Sequence, residues 1–226
     1  MLYINELHVE LKTFNLNIKA KIKPGLTLLL GQNGSGKSTF LTSLTGYYNA
    51  LRHTRYDVKY NDESLSHTHY SYLPQETRRS ILSVKDFVEL TTDKESEELL
   101  KRFNLIHLKN MSTEDISGGE FKRAQFAQIM LEDKPIIFLD EIDQSLDVKF
   151  QKEIFQYLRD IQDKIIIASV HHLPLALKYA NDVMIIKEGE LKKLSSPNNI
   201  HASDLSEAFS TDIKIIEING VRQIIL

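Results

Sequence analysis

Apolar and polar positions alternate from Leu2 to Val9 and again from Phe14 to Ile22, the period of two that predicts half-buried strands and a β-rich N-terminal edge. Pro24-Gly25 predicts a turn, and the run Leu26-Thr-Leu-Leu-Leu30 is apolar on both faces, as in a fully buried strand. Behind it Phe40, Leu41 and Leu44 recur at helical spacing up to Gly46, where glycine's tolerance of the left-handed conformation ends a helix. Residues Arg52 to His69 are polar and weakly patterned and carry no expected element. From Ser83 to Met130 the pattern turns helical: Ser83 precedes an acidic first turn, and Leu99, Leu100 and Phe103 share a face with Glu and Lys opposite. Apolar strands return at Pro135 to Leu139, Lys164 to Ala168 and Asp182 to Ile186, separated by the helical segments Val148 to Leu158 and Leu173 to Tyr179. Such alternation predicts an α/β fold around a parallel sheet covered on both faces, with a helical subdomain inserted into it. The tail from Asp212 to Leu226 predicts a hairpin with Asn219-Gly220 as its turn.

Composition narrows this picture. With 226 residues, 42% of them apolar, the chain can build one domain with a real core and is no disordered segment. Twenty-eight basic against 31 acidic residues, without a basic block, leave no footprint for phosphate-backbone binding, so no nucleic-acid partner is expected. The absence of cysteine removes disulfides and thiolate metal sites. No apolar run approaches the roughly 18 to 20 residues that cross a bilayer, and Met1-Leu-Tyr-Ile-Asn-Glu lacks the basic-then-apolar order of a secretory leader, so an intracellular protein is expected.

Chemistry concentrates first at Gly31-Gln32-Asn33-Gly34-Ser35-Gly36-Lys37-Ser38-Thr39, which fits the phosphate-loop pattern G-x-x-x-x-G-K-[ST] directly behind a buried strand. A strand entering a glycine-rich loop and then a helix leaves backbone N–H groups aimed at one point with no helical partner, a ready site for phosphate oxygens. Lys37 would reach the outer phosphates and the Ser38 hydroxyl would ligate Mg²⁺. A turn that merely caps a helix explains the glycines but not the Lys-Ser pair behind a strand. The second concentration is Asp140-Glu141 at the carboxyl end of a buried strand, the edge where open α/β sheets bind ligands. One acid can serve the metal shell, Asp140 beside Ser38, and the other the attacking water, Glu141; a pair that only caps the following turn is the plainer alternative. Between them Ser117-Gly118-Gly119 opens a helix and forms another potential anion site.

The order of these segments, with Gln75 in Tyr72-Leu-Pro-Gln75, Ser145-Leu-Asp147 and His171 after a strand, resembles the ATP-binding cassette (ABC) family over most of the chain. The resemblance implies a P-loop NTPase (RecA-like) core at 1–75 and 133–226 and a helical subdomain at 76–132, together one ATPase domain. It implies that Gln75 senses the metal and γ-phosphate, and that Ser117, Gly118 and Gly119 form a signature motif that closes over ATP held by a second copy. Asp147 would link the two sites across that dimer, and His171 would contact the γ-phosphate, where an imidazole can donate a hydrogen bond. His172 stands where the family often has aspartate and reads as a turn residue. Three departures stand out: Glu120 replaces the commoner glutamine and should need a cationic neighbour such as Lys122 or Arg123, Ile142 replaces a usual proline, and the adenine-stacking aromatic is open between Phe14 and none.

By the same resemblance the chain would be the ATP-hydrolysing subunit of a transporter. It would pair with itself or a similar subunit, lie at the cytoplasmic face of the membrane, and dock a separate permease near Gln75 to Val84, where Arg78 and Arg79 either line the groove or are solvated. The short tail around Leu205 to Phe209 looks like importers of iron chelates, haem or cobalamin. A soluble cassette protein acting on chromosomes or ribosomes, or an exporter of peptides or drugs, are the alternatives; long heptads and a second cassette, which soluble members carry, are not in the sequence.

Overall fold

The structure, a computed structural model, describes residues 1–218 and 221–225, and the expected Asn219-Gly220 turn lies outside them. Strands β1 (Leu2–Leu11) and β2 (Phe14–Ile22) pair antiparallel. Strand β3 (Gly25–Leu30) runs into the glycine loop that opens helix α1 (Lys37–Leu44), which stops two residues before Gly46 at φ 78°. Then come β4 (Arg55–Tyr60), β5 (Glu63–Ser64) and β6 (Tyr70–Leu73), followed by helices α2 (Val84–Glu89), α3 (Glu97–Arg102) and α4 (Gly118–Glu132). The second half alternates: β7 (Ile136–Leu139), α5 (Val148–Asp160), β8 (Ile165–Ser169), α6 (Leu173–Tyr179), β9 (Asp182–Lys187) and β10 (Glu190–Ser195). Helix α7 (Ala202–Phe209) and the antiparallel pair β11 (Lys214–Ile218) and β12 (Val221–Ile225) finish it.

One sheet runs β5-β4-β1-β2-β10-β9-β3-β8-β7-β6. Its half from β9 to β6 is parallel throughout, and β1, β2, β4 and β5 form the antiparallel edge. Every residue of β3, β7 and β8 is buried, as their unbroken apolar runs require. Side chains of these strands alternate between two cores: Leu28, Leu30, Ile137, Leu139 and Ile166 join α2 to α7, whereas Leu29, Ile136, Phe138, Ile165 and Ile167 join α1 with β1 and β2. A parallel sheet with both faces covered is thereby obtained, the P-loop NTPase arrangement.

Helices α2 and α4 meet through Phe87 and Phe121, and α3 and α4 through Phe103 and Phe126. From Phe121 to Leu131 only Gln128 of α4 escapes full burial, so this helix is a core element. Four strands were not legible in the sequence. β4 and β5 lie at the sheet's outer edge, where Val58 alone is buried, and so show no alternation. β6 is short, and β10 carries Lys192 and Lys193, meeting β2 through one residue pair.

The β9–β10 turn has a task beyond reversal. Gly189, at φ 78°, donates its N–H to Ser35 O at 2.9 Å and accepts from Asn17 N at 2.8 Å, fastening the phosphate loop to β2. A Cβ there would lie 1.9 Å from Asn15 O. Backbone cannot yield as a flexible side chain would. Gly189→Ala is therefore expected to lower stability by about 3 kcal/mol, the sum of left-handed strain and overpacking, as read by urea unfolding; unaltered stability would contradict this fit.

Candidate nucleotide site

The glycine loop, the turn after β7 and the turn after β8 meet at the carboxyl edge of the parallel strands and enclose a cavity of 380 Å³. Asn33, Gly34, Gly36, Lys37, Ser38 and Thr39 line one wall, and Gln75, Glu141, Gln144 and His171 face them. Gly31 and Gly36 are glycines for different reasons: a Cβ at the first would come within 2.3 Å of the backbone Ile186 O, and the second takes φ 106°, with the Phe14 ring 2.5 Å from where a Cβ would stand. The ring of Phe14, at the start of β2, thus sits directly against the loop and lines the cavity.

Lys37 is 6% exposed, and its Nζ donates to Gly31 O at 2.8 Å and Gln32 O at 3.0 Å. Burial lowers its pKa, while Glu141, Asp140 and Asp143 oppose that shift by attraction. The ammonium therefore rests on its own loop's carbonyls, within reach of any anion that enters. Ser35 Oγ is buried in the same loop without a partner.

Glu141 takes a left-handed backbone, φ 50°, which turns its side chain between two partners. Gln75 Nε2 donates to one carboxylate oxygen at 2.5 Å, and His171 Nε2 lies 2.9 Å from the other. His171, not His172, reaches this carboxylate; His172 is exposed at the start of α6. Asp140 is 1% exposed and lies behind the cavity wall, its Oδ1 accepting from Ser169 Oγ at 2.5 Å. Ser169 Oγ in turn accepts the N–H of Glu141 at 2.8 Å, so one hydroxyl sets both acids. Ser169 and Gln144 had no signal in the sequence: one falls just past the expected strand, the other in loop.

Ser117, Gly118, Gly119 and Asp147 stand apart from this cavity. Ser117 and Gly118 are exposed, and Gly118 borders a second hollow shared with Gln75, Lys122 and Gln144. Asp147 caps α5, accepting the N–H of Phe150 at 2.9 Å. The expectation that Glu120 leans on a cation is corrected. Its carboxylate closes a capping box with Ser117, whose hydroxyl and N–H hold its pKa below the usual range, with Arg123 a lesser cause. Arg123 instead stacks 3.9 Å over Phe150, and Lys122 is buried towards Asp140, Glu141 and Asp143. Arg79 is exposed yet tied down: its guanidinium donates to the carbonyls of Thr113, Glu114 and Ile116 and lies 5.2 Å over Phe121, strapping the segment after Gln75 to the start of α4. His69 bonds Ser66 through Nδ1 and serves its own turn.

A family model described as ABC transporter matches residues 13–144, more than half of the chain. The chain belongs to the ABC transporter family. An uncharacterized ABC transporter ATP-binding protein of Methanocaldococcus jannaschii is 28% identical over 225 residues, covering 91% of this chain and 89% of that protein. A hemin import ATP-binding protein of Shewanella denitrificans is 28% identical over 246 residues, with 96% of each covered. The solved structure of an ATP-binding subunit of an ABC transporter superposes with a TM-score of 0.77 at 19% identity, over 94% of each chain, and so shares the fold. This ABC protein is an ATP-binding subunit and an ATPase that powers transport.

Removing the Lys37 ammonium takes the donor from the carbonyls of Gly31 and Gln32 and the cation from the cavity wall. Lys37→Ala is expected to weaken ATP binding by at least about 100-fold, the loss of a charge-assisted contact in a partly desolvated site, as measured with a fluorescent nucleotide. Undiminished affinity would remove the loop from the site.

Proposed function

We propose that the cavity binds ATP with Mg²⁺, that Glu141 activates the water that attacks the γ-phosphate, and that a second copy completes the site. The observation that carries this is the carboxylate of Glu141 held between Gln75 and His171 opposite Lys37. Backbone N–H groups from Gly34 to Thr39 would take the phosphate oxygens, and Lys37 would turn from its carbonyls to the outer phosphates. Phe14, which lines the cavity, would stack on the base. The attacking water gives its proton to Glu141, and the His171 imidazole donates to the γ-phosphate oxygen as charge builds there.

Ser38, Asp140 and Gln75 would hold the metal. They offer only oxygen donors, the set a hard Mg²⁺ ion takes, and Asp140 uses one oxygen on Ser169. Among the described residues no group of three or more His, Asp or Glu could hold an ion unaided, so phosphate oxygens and water would supply the rest of its shell. When bound, the ion neutralises charge on the phosphates.

Ser117, Gly118 and Gly119 are exposed or half-exposed at a helix start and outside the cavity, which suits a role on the ATP of a second copy. Asp147, next to that surface, would join the two sites. Two nucleotides shared this way would hold the pair closed until hydrolysis, a switch for a permease. The permease is read as a separate chain, and among the described residues no helix is long and apolar enough to cross a membrane. Ile81, 83% exposed in the segment after Gln75, offers the permease an apolar contact. Such a subunit works at the cytoplasmic face of the membrane. The hemin import relative favours an importer of a metal chelate as the transport system served.

Glu141→Gln keeps the size of the side chain and removes the base. Phosphate release is expected to fall by about 10² to 10⁴, the range for a lost general base, while ATP affinity is retained. Turnover equal to that of the unaltered protein would sink the assignment of Glu141.

A further inference from the structure

The turn after β7 and the turn after β8 are tied together at Asp143. Asp143 is 6% exposed, and its Oδ2 accepts the backbone N–H groups of His171 at 2.9 Å and His172 at 3.0 Å. Its other oxygen, Oδ1, is buried without a partner. A buried carboxylate is costly to desolvate, so two amides in need of an acceptor do not by themselves explain an acid here. Two buried ammonium groups, Lys37 of the phosphate loop and Lys122 on α4, feel the charge of Asp143 together with those of Asp140 and Glu141.

His171 is in consequence gripped at both ends by one turn. Asp143 holds its main chain, and Glu141, two residues earlier, meets its imidazole at 2.9 Å. The turn itself is fixed from behind, since Gln151 on α5 donates to Asp143 O at 2.7 Å. Between β8 and α6 the chain has only residues 170–172 with which to set the ring, and the N–H groups of two of them end on this carboxylate.

We propose that Asp143 is a positioning residue for ATP hydrolysis, which anchors the main chain of His171 and His172 to the turn carrying Glu141 and so keeps the His171 imidazole in reach of the reacting phosphate. The proposal rests on the roles of Glu141 and His171 given under the proposed function. Misplacing a reacting group by about 1 Å costs up to roughly 100-fold in rate. One oxygen accepts both amides, so acceptor geometry is what the residue supplies.

The test measures phosphate release against ATP concentration for Asp143→Ala and Asp143→Asn, alone and combined with His171→Ala, with thermal unfolding and nucleotide affinity for each. Asp143→Ala is expected to lower kcat at least about tenfold, with KM for ATP and nucleotide affinity within about threefold of the unaltered protein. Asp143→Asn, which still offers one oxygen to both amides, is expected to recover kcat to within about threefold. In the His171→Ala background Asp143→Ala is expected to cost less than about twofold, because no ring is left to place. Should Asp143→Ala not fold, Asp143→Ser, too short to span both amides, carries the same expectation. An unchanged kcat, an equal loss with and without the His171 ring, or Asn as damaging as Ala in folded protein would overturn the proposal. If His171→Ala and Glu141→Gln themselves turn over normally, the reading of the active centre fails instead.

Discussion

Three neighbouring parallel strands in fixed register carry the rest of this protein. Leu28 of β3 and Leu139 of β7 both pair with Ala168 of β8, so the segments that follow emerge side by side at one edge. Those segments are the phosphate loop, the Asp140-Glu141 turn and the His171 turn. A one-residue slip would exchange the two cores these strands serve and would separate Glu141 from His171. Burial of every residue in the three strands makes such a slip expensive. The chemistry is therefore held in place by apolar packing some distance from it.

What the strands bring together is a crowd of charges. Asp140, Glu141 and Asp143 lie within four residues, all at most 8% exposed, and face the buried ammonium groups of Lys37 and Lys122. Like charges this close repel, and the hydrogen bonds from Ser169, Gln75, His171 and His172 oppose that repulsion. Lys37 answers the acids from the phosphate loop and Lys122 from α4, the helix that Ser117 caps. The nucleotide loop and the helical part of the protein are joined electrostatically through the acids between them. Arg79 adds a second tie, from the segment after Gln75 to the carbonyls before Ser117.

Much of this was legible in the sequence because its signals are strong and local. A glycine loop between an unbroken apolar strand and a helix permits few other structures, and β3, β7, β8 and β9 fall where their apolar runs stand. The strands that escaped notice are those whose environment erases the pattern: β4 and β5 at an exposed edge, β10 with its lysines. The residues that escaped are those whose part depends on distant chain. Ser169 looks like an ordinary residue past a strand until its hydroxyl is seen between Asp140 and Glu141, and Asp143 looks like loop until two amides are found on it. Glu120 shows the converse. Its charge suggested a cation as partner, and the helix start supplied a hydroxyl and an N–H instead.

The central claim is that one chain holds only half of each working site, with the phosphate loop on one copy and Ser117 on the other. Sedimentation velocity of the Glu141→Gln protein with Mg²⁺ and either ATP or ADP tests it most directly. The account predicts a dimer with ATP that is absent with ADP. A monomer in both, at nucleotide concentrations that saturate the loop, would contradict it.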